Sequence, residues 1–249
     1  YTKNPHMPKV RRDAADMVLT DDNFSSIVKA VELGRTVYDN IKKFVTYLLT
    51  ANVVEVGVIL LAMIMNLPLP LLPIQILWVN LMTDSWPALA LGVDKPASDI
   101  MSKKPRPKNE SLLKDIKGHL VFIGIVGTIS IITLFWIYDV IGHEETKARS
   151  VVLTTLILFE LFRAYGSRSV NAFRKDFFSN KWLNIAVLVS FVLQLLILYT
   201  PLNIFFKVVP LDLKDWAYVV TFSFIGYILP ELYKLFNKED NVKIEASSA

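Results

Sequence analysis

Between Leu71 and Gly92 runs an apolar segment long enough to cross a bilayer, and it carries a carboxylate, Asp84, near its middle. A charge at that depth is expensive and marks a functional site by default. Asn80, Thr83 and Asp84 stand at i, i+3 and i+4, so a helix puts their oxygen-bearing side chains on one face. Pro87 lacks an N–H and its ring crowds the carbonyl four residues earlier, which predicts a break that leaves the Thr83 carbonyl without its helical partner. Discontinuous helices at membrane depth are a recurrent way to hold ions, and the segment reads as an ion-binding element.

The rest of the chain fits that setting. It is 53% hydrophobic over 249 residues, with a mean hydropathy of +0.42, too apolar for a soluble domain of this length. Apolar stretches at about 44–65, 71–92, 119–141, 151–166, 182–199 and 216–236 predict an all-α polytopic membrane protein of six transmembrane helices, the second of them broken. The fourth has the shortest purely apolar run and carries Glu160 and Arg163. Before them, Ala15–Thr20 reads as a strand, Asp21, Asp22 and Asn23 as capping residues, and Phe24, Ile27, Val28 and Val31 as a helix face ending at Gly34. Residues 1–34 are therefore expected to be a short αβ remnant of a cytosolic domain, 35–240 the membrane domain and 241–249 a cytoplasmic tail. The absence of an initiating methionine fits a fragment.

Lys and Arg residues divide 23 to four between alternate loops, and the positive-inside tendency then places both termini and the loop 94–117 in the cytoplasm of a cell-membrane protein. The net charge of +4 belongs to this topology signal, and no nucleic-acid partner is implied. With no cysteine there is no disulfide, thiolate metal site or catalytic thiol.

Glu55, Asp84 and Glu160 are carboxylates inside or near apolar spans, and Asn52 precedes Glu55 by one helical turn. Together with Asn80 and Thr83 they form an oxygen-only donor set, suited to calcium, magnesium or alkali cations; copper, zinc or iron would call for imidazole or thiolate. Gln75 and Gln194, lone polar residues in apolar spans, read as interhelical glue. Arg163 follows Glu160 by one turn. Its guanidinium either pairs inward with that carboxylate, occupying a cation's place, or snorkels to the interface, and the lack of another partner for Glu160 favours the inward pairing.

The runs Ala15-Asp-Met-Val-Leu-Thr-Asp-Asp-Asn-Phe24, Ala51-Asn-Val-Val-Glu55 and Pro73-Ile-Gln-Ile-Leu-Trp-Val-Asn-Leu-Met-Thr-Asp84 resemble the C-terminal part of P-type cation-transporting ATPases, the calcium-pump branch (type IIA) in particular. The resemblance implies that the six spans correspond to that family's fifth to tenth helices. It also implies that Asn52, Glu55, Thr83, Asp84 and Glu160 are ligands of one calcium site, and that Asn80 and Asp84 contribute to a second. The partners implied are the bilayer and an N-terminal half with the cytosolic domains and first four helices. The phosphorylation motif Asp-Lys-Thr-Gly-Thr is not in this sequence, so Mg-ATP belongs to an intact parent and the chain carries no catalytic residue of its own. Arg163 stands where two-ion pumps of the family have a neutral amide, which implies one calcium per cycle with protons returning on the carboxylates. Rival readings are a sodium, potassium or proton pump, a secondary transporter working from the spans alone, and an inert truncated protein or accessory subunit. The secondary transporter would require an internal repeat, and no second copy of the Asn80–Asp84 pattern occurs.

Overall fold

The computed structural model describes residues 23–97, 99–102, 117–169 and 177–247, with side chains followed to residue 235. Helix α1 spans Phe24–Ile64, 41 residues without a break at Gly34, and opens on Asn23, whose side chain accepts a hydrogen bond from the Ser25 N–H at 3.0 Å. The predicted strand Ala15–Thr20 lies outside the described residues; among those described all regular structure is helical. A tight exit follows α1, with Asn66 in the left-handed region at φ 54. The chain then re-enters as α2 (Pro73–Trp78), a π-helical turn (Val79–Thr83) and α3 (Ser85–Gly92). Next come α4 (Lys117–Trp136), which runs into a second π turn (Ile137–Ile141), then α5 (Glu145–Gly166), α6 (Lys181–Tyr199), the short α7 (Leu202–Phe206) and α8 (Leu213–Ser247).

Among the described residues, three helices are long and apolar enough to cross a membrane: α1, α4 with its π extension, and α6. The other stretches miss that description for physical reasons. The second predicted span is divided by its π turn into helices of six and eight residues. Helix α5 is the centre of the bundle, buried at nearly every position from Ser150 to Leu161, so its face never meets lipid and admits Ser150, Thr154, Thr155 and Glu160. Phe159 of α5 packs where Gly127 of α4 and Gly226 of α8 leave room, and a Cβ at either glycine would come within 3.1 Å of its ring. The main apolar core, built on Val54, Val58, Leu134, Phe135, Leu156 and Phe159, surrounds this point.

Hydrogen bonds gather the loops at two opposite ends of the bundle. At one end Arg149 donates to the Leu69 carbonyl (2.9 Å), Tyr138 to Asp215 (2.8 Å), and the Val209 N–H to Ser150 Oγ (2.8 Å). At the other, Asp94 is a hub. It accepts from Arg168 Nη2 and Lys43 Nζ, each at 3.0 Å, and from Asn180 Nδ2 at 3.1 Å, while Asn40 donates to its backbone carbonyl at 2.8 Å. One carboxylate thus ties together α1, the end of α3, the end of α5 and the start of α6. Burial works against the charge of Asp94, yet Arg168 and Lys43 hold its carboxyl below the usual carboxylate range.

Asp94→Asn removes the carboxylate that Arg168 and Lys43 share, and should lower the unfolding free energy in detergent by about 3 kcal/mol. Because the folded-state value is depressed, the stabilisation from Asp94 is fully present above its unfolded-state value of about 4 and fades as pH falls through the lower folded value. Urea titrations of wild type and variant should therefore converge only on strong acidification.

A candidate ion site at a break in the second span

The predicted irregularity exists, but it lies earlier than Pro87. The ladder widens over Val79–Thr83, where the Asp84 N–H donates to the Val79 carbonyl at 3.0 Å, a five-residue step. Pro87 falls in the first turn of α3, where an N–H would lack a helical partner in any case. The Thr83 carbonyl is free of the ladder as expected, and Ser190 of α6 donates its hydroxyl to it at 3.1 Å. The Asn80 carbonyl takes the Ser85 hydroxyl at 3.0 Å. Side-chain hydroxyls thus replace the two lost ladder contacts, and the break holds its shape beside Asp84.

Around that break the predicted residues fall into two groups. Asn80 donates its amide to both Glu55 oxygens, at 3.0 and 2.9 Å, joining α1 to the π turn. Asp84, 1% exposed, accepts from the Tyr47 hydroxyl at 3.2 Å through Oδ1, and the buried Glu160 carboxyl of α5 is its neighbour. Asp84 Oδ2 and both Glu160 oxygens are buried without a hydrogen-bond donor. Two neighbouring buried carboxylates repel unless a proton or a cation stands between them. Thr83 is buried and spends its hydroxyl proton on the Val79 carbonyl at 2.9 Å, keeping its oxygen lone pairs. Among the described residues, no group of three or more His, Asp or Glu side chains is drawn together tightly enough to enclose a metal ion.

Two expectations are corrected. Asn52 does not share the direction of Glu55: it is exposed and donates to the Leu48 carbonyl at 2.8 Å, whereas Glu55 is buried against Asn80. Arg163 is buried rather than snorkelling, but it does not pair with Glu160; its ion-pair partner is Glu231 of α8, with 3.8 Å between Nη1 and Oε1. Gln75 and Gln194 act as glue, donating to the Phe206 carbonyl at 3.0 Å and to Thr154 Oγ1 at 2.9 Å.

Sequence reasoning missed Tyr47, Ser190, Glu231 and Lys234. Tyr47 was findable, since it lies eight residues before Glu55 on the buried face through Ala51. Ser190, a small residue in the apolar α6, carries no such signal.

The family described as "Cation transporting ATPase, C-terminus" matches residues 68–236. Curated relatives include a calcium-transporting ATPase of Bacillus subtilis (strain 168), 40% identical, covering 88% of this chain and 25% of that protein. Calcium-transporting ATPase 1 of Bacillus cereus (strain ATCC 10987 / NRS 248) is 40% identical, over 92% and 28%. An endoplasmic reticulum-type calcium-transporting ATPase 3 of Arabidopsis thaliana is 35% identical, over 94% and 27%. The chain spans about a quarter of the length of these relatives.

Ser190→Ala should leave the Thr83 carbonyl buried and unsatisfied. The expected loss is about 1–2 kcal/mol in thermal unfolding of the detergent-solubilised protein, whereas Ser190→Thr, which keeps the hydroxyl, should lose less.

Proposed function

Starting from the fact that the chain belongs to the cation-transporting ATPase C-terminal family, we propose that it is the ion-binding transmembrane half of an ATP-driven calcium exporter. The observation that carries this reading is the buried Asp84–Glu160 pair, whose three donor-less oxygens sit beside a helix break and call for a cation. Glu55, Asn80 and Thr83 complete an oxygen-only set around it, a hard-donor environment that suits calcium over softer metals. The relatives' names favour calcium over sodium, potassium or protons.

In this reading the chain makes six crossings of the cell membrane with both termini cytoplasmic, the broken α2–α3 unit being the second and the buried α5 the fourth. Asn52 then has a role. An exposed amide on an apolar helix is unfavourable against lipid, so its side of α1 suits a helix from the N-terminal half of the parent, bringing Asn52 into the shell. Phosphorylation and Mg-ATP binding belong to that missing half, with its cytosolic domains and first four helices. Calcium is cargo, and no step of ATP chemistry is assigned to this chain.

The buried positive charge of Arg163, one turn beyond Glu160, disfavours a second divalent ion there. The parent therefore moves one calcium per cycle, with protons returning on the emptied carboxylates. Calcium-45 uptake measured against ATP hydrolysis in vesicles holding the full-length parent should give a ratio of one, and a ratio of two would overturn the stoichiometry. Asp84→Asn in the same protein should weaken calcium activation by roughly 100-fold or more, since it removes the carboxylate common to the donor groups.

A further inference from the structure

Arg163 is 1% exposed, yet none of its guanidinium nitrogens makes a hydrogen bond. What holds it is charge alone, the 3.8 Å approach of Nη1 to Glu231 Oε1. A guanidinium with its donors unspent, on the same helix as a carboxyl with both oxygens unspent, would be expected to turn towards Glu160. Among the described residues it makes no ion pair there, and the architecture around Glu231 explains why.

Glu231, 2% exposed, is braced from its other side by Lys234, whose Nζ lies 2.6 Å from the same Oε1. Lys234 also donates to the Gly166 and Ser169 carbonyls at 2.7 and 3.0 Å, fixing α8 to the C-terminal end of α5. Space for the pair comes from Gly166. A Cβ there would stand 2.5 Å from Glu231 Oε1 and 3.2 Å from Arg163 Nη1, so any other residue would displace the carboxylate. Three residues thus build one socket.

We propose that Glu231 is a positioning residue of the ion site: seated by Lys234 and Gly166, it tethers the Arg163 guanidinium away from Asp84 and Glu160 and so keeps Glu160 free for the transported cation. The inference rests on the proposed function for its consequence, though not for its geometry. Without the Glu231 charge, the acids left to a buried guanidinium on this stretch of α5 are Glu160 and its neighbour Asp84. A guanidinium seated on them competes with calcium for the same oxygens.

The test uses the full-length parent. Glu231→Gln should raise the KM for calcium about tenfold, with the loss appearing in KM rather than kcat. The double variant Arg163→Met/Glu231→Gln should return to the KM of Arg163→Met alone, because the competing cation is gone. Gly166→Ala, which moves the carboxylate without removing it, should shift KM in the same direction by less. An unchanged KM in Glu231→Gln, or a loss that persists in the double variant, would overturn the tether, the second outcome identifying a merely structural role. If Glu231→Gln does not accumulate, the KM of Gly166→Ala decides in the same way. Should the wild-type parent prove indifferent to calcium, the proposed function fails separately. The tether is then read from a cryo-EM structure of the Glu231→Gln parent: a guanidinium at salt-bridge distance from Glu160 or Asp84 supports it, and one left in place overturns it.

Discussion

A polar group inside an apolar bundle must find a partner within the protein, and most of those among the described residues do; the carboxyls of Asp84 and Glu160 and the guanidinium of Arg163 are among the few with buried atoms that make no hydrogen bond. The π turn and Pro87 leave the Asn80 and Thr83 carbonyls outside the ladder, and Ser85 and Ser190 satisfy them. Glu55 is satisfied by Asn80, Gln75 by α7 and the preceding loop, and Asp94 by three different segments. Against that background the bare oxygens of Asp84 and Glu160 stand out, as does the Arg163 guanidinium, and the proposed transport role is an account of the carboxyls.

The same helices that frame the exception connect it to the bundle's end. Helix α1 is continuous from Phe24, carries Asn40 and Lys43 to the Asp94 hub, and goes on to present Tyr47 and Glu55 to the site. Arg35, earlier on the helix, donates to the Ile100 carbonyl at 2.9 Å, so the loop after α3 is fastened to α1 at more than one point. One continuous helix thus links the Asp94 hub to the groups around Asp84, and the hub holds the ends of α3, α5 and α6 against it.

Much of this was legible in the sequence because lipid imposes a simple rule on the helices it touches. The stretches 44–65, 119–141 and 182–199 read directly as apolar runs, and each lies in a helix long enough to cross. The rule weakens where a helix touches only protein: α5 tolerates Thr154, Thr155, Glu160 and Arg163, so its apolar run looked short although the helix has 22 residues. At the site, Asn80, Thr83 and Asp84 were visible from spacing, and a break was visible from Pro87. Its position was not, since a proline is equally at home in the first turn of the resumed helix. The partner of Arg163 could not be read locally at all. Glu231 follows Pro230 near the end of the last apolar stretch, where a carboxylate looks interfacial, and only the packing of α8 on α5 brings it inside.

The central claim is that the transported ion is held at the Asp84–Glu160 pair beside the broken second span. A cryo-EM or anomalous-diffraction map of the full-length parent with calcium bound tests it most directly. The account predicts a single ion touching Asp84 together with oxygens from the Glu55–Asn80 group or Glu160. Two ions in that region, or an ion with no contact to Asp84, would contradict it.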